Sequence, residues 1–209
     1  MIGVVDYGSG NVFSLMSALK TLGHDAMLVN NVAEIRNASK IILPGVGAFP
    51  SAMEKLYSKG LFEVVKETIE DRYALGICVG MQIMFSVGEE FGTTKGLGVI
   101  PGKVIKLSIN ESDPLKRKLP HIGWAPVNFA TKLRQTNAMT LGINASDEFY
   151  FAHSFHATPD NLNDVMMTAN YGHQFTAAIA RGTIFGAQFH PEKSGKAGLR
   201  FLDNFCNLS

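Results

Sequence analysis

Hydrophobic positions in the first half of the chain alternate between short unbroken apolar runs and stretches with helical spacing. Residues 1–5 form the first run, and after Gly8-Ser9-Gly10 the apolar positions Val12, Leu15, Met16, Leu19 and Leu22 recur at intervals of three and four, with Gly23 as a stop signal. Residues 26–29 and 40–43 predict further strands, 61–69 a helix, and 74–77 a strand that ends at a cysteine. Fully apolar strands alternating with amphipathic helices predict a parallel sheet covered on both faces. The second half changes character. Segments 99–107, 124–129, 149–153, 165–169 and 176–180 are short, β-rich and separated by Gly, Asn and Asp, which predicts antiparallel strands extending the sheet. Residues 195–207, bearing Leu199, Leu202 and Phe205, close the chain as a helix. No repeat, low-complexity tract or linker divides it, so the expected fold class is α/β. It is a single domain over 1–209, an open and mostly parallel sheet with flanking helices and an antiparallel β-rich extension.

Composition narrows the function classes. A chain of 209 residues with 46% hydrophobic content can bury a full core. The net charge of +1 leaves no electrostatic footprint for nucleic acid, and the short Lys116-Arg117-Lys118 run reads as a solvated turn. Met1-Ile2-Gly3-Val4-Val5-Asp6 lacks a positive leader and turns polar at once, and no apolar stretch approaches spanning length, so neither a signal peptide nor a membrane is expected. Cys78 and Cys206 are the only cysteines, and a reducing cytoplasm is the expected compartment.

The candidate chemistry lies in two segments. Gly76-Ile77-Cys78-Val79-Gly80 follows a predicted strand and precedes a helical pattern, the arrangement of a nucleophile elbow in which small neighbours permit a tight turn that lifts the reactive atom. A thiol there, near a helix N-terminus and an imidazole, points to acyl transfer through a thioester. A lone cysteine is also an ordinary small core residue. Gly186-Ala187-Gln188-Phe189-His190-Pro191-Glu192 places His190 and Glu192 two apart after a strand, where in extended backbone they project the same way and Glu192 can hold the ring of His190 in one tautomer. Pro44-Gly45-Val46-Gly47 follows another strand and can aim a backbone N–H at a reaction centre, or be a plain turn. Gly8-Ser9-Gly10 invites a dinucleotide reading, but Phe13 stands where the third fingerprint glycine is required. Asn11 then reads as a helix N-cap.

With these residues the chain resembles the class I (triad-type) glutamine amidotransferases, and more closely the glutaminase subunits of imidazole glycerol phosphate synthase. The segments that carry the resemblance run nearly end to end: Asp6-Tyr7-Gly8-Ser9-Gly10-Asn11, Leu43-Pro44-Gly45-Val46-Gly47-Ala48-Phe49, Gly76-Ile77-Cys78-Val79-Gly80-Met81-Gln82, Pro120-His121-Ile122-Gly123-Trp124, Tyr150-Phe151-Ala152-His153-Ser154 and Gln188-Phe189-His190-Pro191-Glu192-Lys193-Ser194.

The resemblance implies a flavodoxin-like sheet and a catalytic set of Cys78, His190 and Glu192. It implies oxyanion donors from the backbone of Val46 or Gly47 together with Val79. Glutamine contacts would come from Gln82, Glu90, His153 and Ser154, with Glu90 receiving the substrate ammonium. It further implies L-glutamine as substrate, no metal or cofactor, and a heterodimer with a (β/α)8-barrel cyclase that takes up the ammonia in histidine biosynthesis, touched by Asn11, Trp124 and Lys193. Three positions depart from the family pattern: Ala125 where asparagine is common, Phe155 where tyrosine is usual, and Val79 for leucine. These departures leave open a paralogue feeding a sugar-amidating enzyme. The elbow alone would also suit a cysteine hydrolase or peptidase.

Overall fold

The computed structural model describes residues 1–109, 117–130 and 138–209, so Lys116 of the short basic run lies outside the described residues. The first half comprises β1 (Ile2–Val5), α1 (Val12–Thr21), β2 (Ala26–Val29), α2 (Val32–Asn37), β3 (Lys40–Gly45), α3 (Phe49–Ser58), α4 (Phe62–Asp71), β4 (Tyr73–Cys78) and α5 (Val79–Gln82). The second comprises β5 (Phe85–Gly88), β6 (Thr94–Lys95), β7 (Ile100–Lys106), β8 (His121–Phe129), β9 (Glu148–His153), β10 (Phe155–Pro159), β11 (Val165–Asn170), β12 (Gln174–Arg181), β13 (Ile184–Ala187) and α6 (Gly195–Cys206).

A nine-stranded sheet runs in the order β2-β1-β3-β4-β13-β12-β11-β8-β9. Pairing is parallel from β2 to β13 and antiparallel from there to β9, so the α/β half and its β-rich extension form one continuous sheet. The strand expected at 99–107 behaves differently. It forms β7 and joins β10, β5 and β6 in a separate four-stranded sheet instead of extending the large one. The reason is local: β5 follows directly after the short α5 and pairs in parallel with β7, which then takes β10 on its other edge.

Helices cover the parallel half through the faces that the spacing predicted. Leu15, Ala18 and Leu19 of α1 are buried, with Val12, Met16 and Leu22 partly so. In α6, Phe201, Leu202 and Phe205 are fully buried. Three such side chains contribute about 5–9 kcal/mol of hydrophobic transfer, so packing on the sheet rather than intrinsic propensity holds this helix. His24 Nε2, just past α1, lies 2.8 Å from Asp203 on α6 and links the two. Among the described residues no helix is long and apolar enough to cross a membrane. Both cysteines are buried and free.

Candidate active site

The carboxyl ends of β3, β4 and β13 lie side by side, because Gly45 pairs with Cys78 and Ile77 with Ala187. Loops leaving the carboxyl ends of such strands are where open α/β sheets build their sites. Cys78 closes β4 with φ 53° and ψ −114°, a conformation that costs a non-glycine residue about 1–3 kcal/mol and so marks an over-determined turn. Its neighbours explain how the turn is reached. A Cβ on Gly80 would lie 1.8 Å from the carbonyl oxygen of Leu43, and one on Gly76 would lie 2.5 Å from Cα of Met81. Glycine at these two positions lets α5 sit directly against β3 and β4.

His190 follows β13 in extended backbone and is fixed from the side. Its N–H donates to the carbonyl of Tyr150 at 2.9 Å, and its own carbonyl accepts from Ser194 Oγ at 2.6 Å. The ring Nδ1 donates to Glu192 Oε1 at 3.0 Å, and both side chains are 4% exposed. This tautomer turns Nε2 away from the carboxylate, and the ring is also hydrogen-bonded to Cys78. The expected pairing is therefore present, but its local cause differs from the extended segment that the spacing implied. Pro191–Lys193 is a single 3-10 turn that folds Glu192 back beneath the ring.

Burial alone would lower the pKa of His190, but hydrogen bonds to Cys78 and Glu192, and their negative charge, outweigh it and raise it to about 10. A ring held protonated beside the sulfur is poised to donate a proton.

A cavity of about 310 Å³ opens onto the sulfur, and its walls include Val46, Gly47, Val79, Gln82, Glu90, His153, Ser154 and Lys193. Every catalytic, oxyanion and glutamine-contact residue named from sequence lies on it except Glu192, which sits behind His190. Val46 is held by Ser9, whose hydroxyl donates to its carbonyl at 2.8 Å, and Gly47 takes φ 95°, a backbone that favours glycine. Glu90 Oε2 accepts the N–H of Phe49 at 2.8 Å, capping α3, whose own N-cap Ala48 supplies no side-chain bond.

Gln82 and His153 are more committed than the sequence implied. Gln82 Nε2 donates to the carbonyl of Phe155 and to Gln188 Oε1, each at 2.9 Å, which leaves only its amide oxygen for a ligand. His153 Nδ1 donates to the same carbonyl at 2.9 Å, and its Nε2 lies 3.3 Å from His121 Nδ1. Burial lowers the pKa of His153 to about 3 and that of His121 to about 4, so both rings are neutral at pH 7. The backbone carbonyl of Phe155 does the polar work at that position, so phenylalanine in place of tyrosine leaves this network intact. Ala125 is buried, whereas its neighbour Trp124 is 52% exposed.

The residues expected at a partner interface spread around the rim. Trp124 packs edge-on to Tyr150 with ring centroids 6.0 Å apart, and Lys193 Nζ lies 5.8 Å from the Tyr150 ring centroid. Asn11 caps α1, accepting from Ser14 N at 3.4 Å, and lines a narrow crevice behind His190 and Glu192. One site residue escaped the sequence reading. Gln188, fully buried, directs Nε2 at Cys78 Sγ from 3.6 Å. The signal was its place two residues before His190, a spacing that in an extended strand puts two side chains on one face.

The model of the family "Glutamine amidotransferase class-I" matches residues 3–208. The chain belongs to the class-I glutamine amidotransferases. Within this family, the amidotransferase is 42% identical to the HisH subunit of imidazole glycerol phosphate synthase from Moorella thermoacetica, over 99% of this chain and 94% of the relative. It is also 42% identical to the HisH subunit of Leptospira interrogans, over the whole of both chains. Among solved structures, PurLQS from Thermotoga maritima superposes with a TM-score of 0.70 at 19% identity, covering 99% of this amidotransferase and 97% of that chain. A glutamine amidotransferase from the same organism superposes with a TM-score of 0.62 at 14% identity, covering 98% of this chain and 81% of that one. At these identities the two structures bear on the fold alone.

Proposed function

We propose that this amidotransferase is the glutaminase subunit of an imidazole glycerol phosphate synthase, hydrolysing L-glutamine to glutamate and ammonia through a γ-glutamyl thioester on Cys78. The observation that carries this reading is the hydrogen-bonded series from Glu192 through His190 to Cys78 at the floor of one cavity. The relatives named above favour it over a sugar-amidating paralogue or a peptidase.

In the first half-reaction the sulfur adds to the side-chain amide carbon, and the carbonyl electron pair moves onto oxygen. N–H groups of Val79 and of Val46 or Gly47 receive that oxyanion, each donor worth about 2.7–4 kcal/mol in the transition state. His190 gives its proton to the departing nitrogen as the tetrahedral adduct collapses, releasing ammonia and leaving the thioester. Acylation removes the anionic sulfur that helps hold the ring protonated, so burial then favours neutral imidazole, the form needed to take a proton from water. Hydroxide adds to the thioester, and the sulfur leaves as glutamate forms. Glu192 keeps the ring oriented throughout. The free substrate carries both charges: Glu90 receives its ammonium, and Gln82 and the His153-Ser154 segment shape the rest of the pocket.

Ammonia in bulk water is mostly protonated and no longer nucleophilic, which calls for an attached acceptor. The acceptor proposed is a (β/α)8-barrel cyclase forming a heterodimer with this chain. Its docking face is the exposed Ile122 and Trp124 with Tyr150 and Lys193 beside the cavity mouth, together with the Asn11 corner. The full 209 residues act as one domain, and two free cysteines suit a reducing cytoplasm. The test is Cys78→Ala in the complex: glutamate release falls to background while folding and partner binding persist. Glutamate release at the wild-type rate would overturn the proposal.

A further inference from the structure

The orientation of Gln188 is dictated from outside the triad. The carbonyl of Phe155 can only accept, so the atom of Gln82 facing it at 2.9 Å is the amide nitrogen. The second hydrogen of that nitrogen meets Gln188 at 2.9 Å, which makes the facing atom of Gln188 its oxygen. The remaining amide group of Gln188, its NH2, then faces Cys78 Sγ at 3.6 Å. His153 Nδ1, bonded to the same Phe155 carbonyl, ties this chain of neutral groups to the cavity wall. Gln188 and Gln82 are 0% and 2% exposed, so no water competes for these bonds.

A sulfur that faces an N–H donor is an acceptor, and a donor to an anion is about twice as strong as one to a neutral group. We infer that Gln188 is a second, uncharged donor to the Cys78 sulfur, favouring thiolate over thiol and helping to aim the sulfur into the cavity. Unlike His190, it neither gives up nor takes a proton during turnover, so its donation persists after the ring has become neutral and favours departure of the sulfur from the thioester. This role rests on Cys78 being the glutaminase nucleophile, as proposed above.

The test compares wild type with Gln188→Met, close in volume and without a donor, in the complex. The readouts are the rate of iodoacetamide alkylation against pH and steady-state glutamine hydrolysis. Burial raises the pKa of Cys206 to about 12, so alkylation below that range reads position 78. Losing a donor to an ionised sulfur shifts the half-maximal alkylation pH upward by about one to two units, lowers kcat about 10- to 100-fold, and changes KM less than about threefold. A merely structural role would lower thermal stability and leave the alkylation midpoint in place, and that result overturns the inference. A wild-type measurement covers a variant that fails to fold: on alkylation of Cys78, the side-chain amide 15N–1H signals of Gln188 shift, and unmoved Gln188 signals overturn the inference. Wild-type complex that releases no glutamate would strike the proposed function and this role with it. An active wild type with an unmoved variant midpoint would strike this role alone.

Discussion

Replacing Glu192 by glutamine removes one charge and almost no volume, which isolates what the carboxylate does for His190. At 3.0 Å and an effective dielectric constant of about 20, the carboxylate–imidazolium attraction is about 5 kcal/mol. A neutral amide in its place restores about 1 kcal/mol. The difference of about 4 kcal/mol corresponds to roughly three units in the ring's pKa. Glu192→Gln is therefore expected to bring His190 down from about 10 to near neutrality, about three units lower. At about pH 9, roughly two units above that position, about one variant ring in a hundred is protonated, so kcat for glutamine hydrolysis there falls about 100-fold. The assay is glutamate release by the complex at saturating glutamine from pH 6 to 11, where the wild-type alkaline limb falls near 10 and that of the variant about three units lower. The same pair sets a stability signature. A ring whose folded pKa is raised above its unfolded value of about 6.5 stabilises the fold fully below 6.5 and loses that contribution as pH rises through about 10. Wild type should thus exceed the variant in denaturant midpoint at pH 6, with the gap shrinking toward pH 10. An unmoved alkaline limb together with kcat within tenfold of wild type would refute the assignment of Glu192 as the group that holds the ring.

Three further outcomes follow from particular contacts. Gly80→Ala drives a Cβ to 1.8 Å from the Leu43 carbonyl oxygen, so a loss of more than about 4 kcal/mol in chemical denaturation is expected, and a wild-type midpoint would contradict the close packing of α5 on β3. Glu90→Gln removes the proposed ammonium partner and weakens the cap on α3. KM for glutamine should rise about 100-fold with kcat within about fivefold, whereas an unchanged KM would remove Glu90 from the substrate site. Trp124→Ala should raise the Kd for the barrel cyclase by about tenfold or more in calorimetric titration, as truncating an interface tryptophan anchor does, and a change below twofold would place the docking face elsewhere.

The parallel half of the fold was legible because its signals are local. Residues 1–5, 26–29, 40–43 and 74–77 are largely apolar runs, and they became β1, β2, β3 and β4 within a residue or two. α3 left no such trace. Its N-cap is Ala48, Pro50 sits in its first turn, and its capping carboxylate comes from Glu90, 41 residues away. The short strands β5 and β6 were missed for a related reason, since β6 has only two residues and is defined by its partner. Sheet membership was the other loss: nothing within residues 99–107 tells whether β7 pairs with the large sheet or with β5 and β10. For the site, the elbow and the His-Pro-Glu segment named the atoms proposed to be catalytic, because each needs a particular residue type at a particular offset. The Gln82–Gln188–Cys78 chain was not legible, as it depends on which amide atom faces which neighbour across three elements.

The central claim is that glutamine's side-chain carbon is attacked by the sulfur at position 78, and a diazo-ketone analogue of glutamine tests it directly by trapping the attacking atom. The complex is incubated with the analogue, digested, and mapped by mass spectrometry while residual activity is followed. One label per chain on the peptide carrying Cys78, rising in step with lost activity and suppressed by glutamine, is the predicted result. Complete inactivation with that peptide unlabelled, or with the label on Cys206, would contradict it.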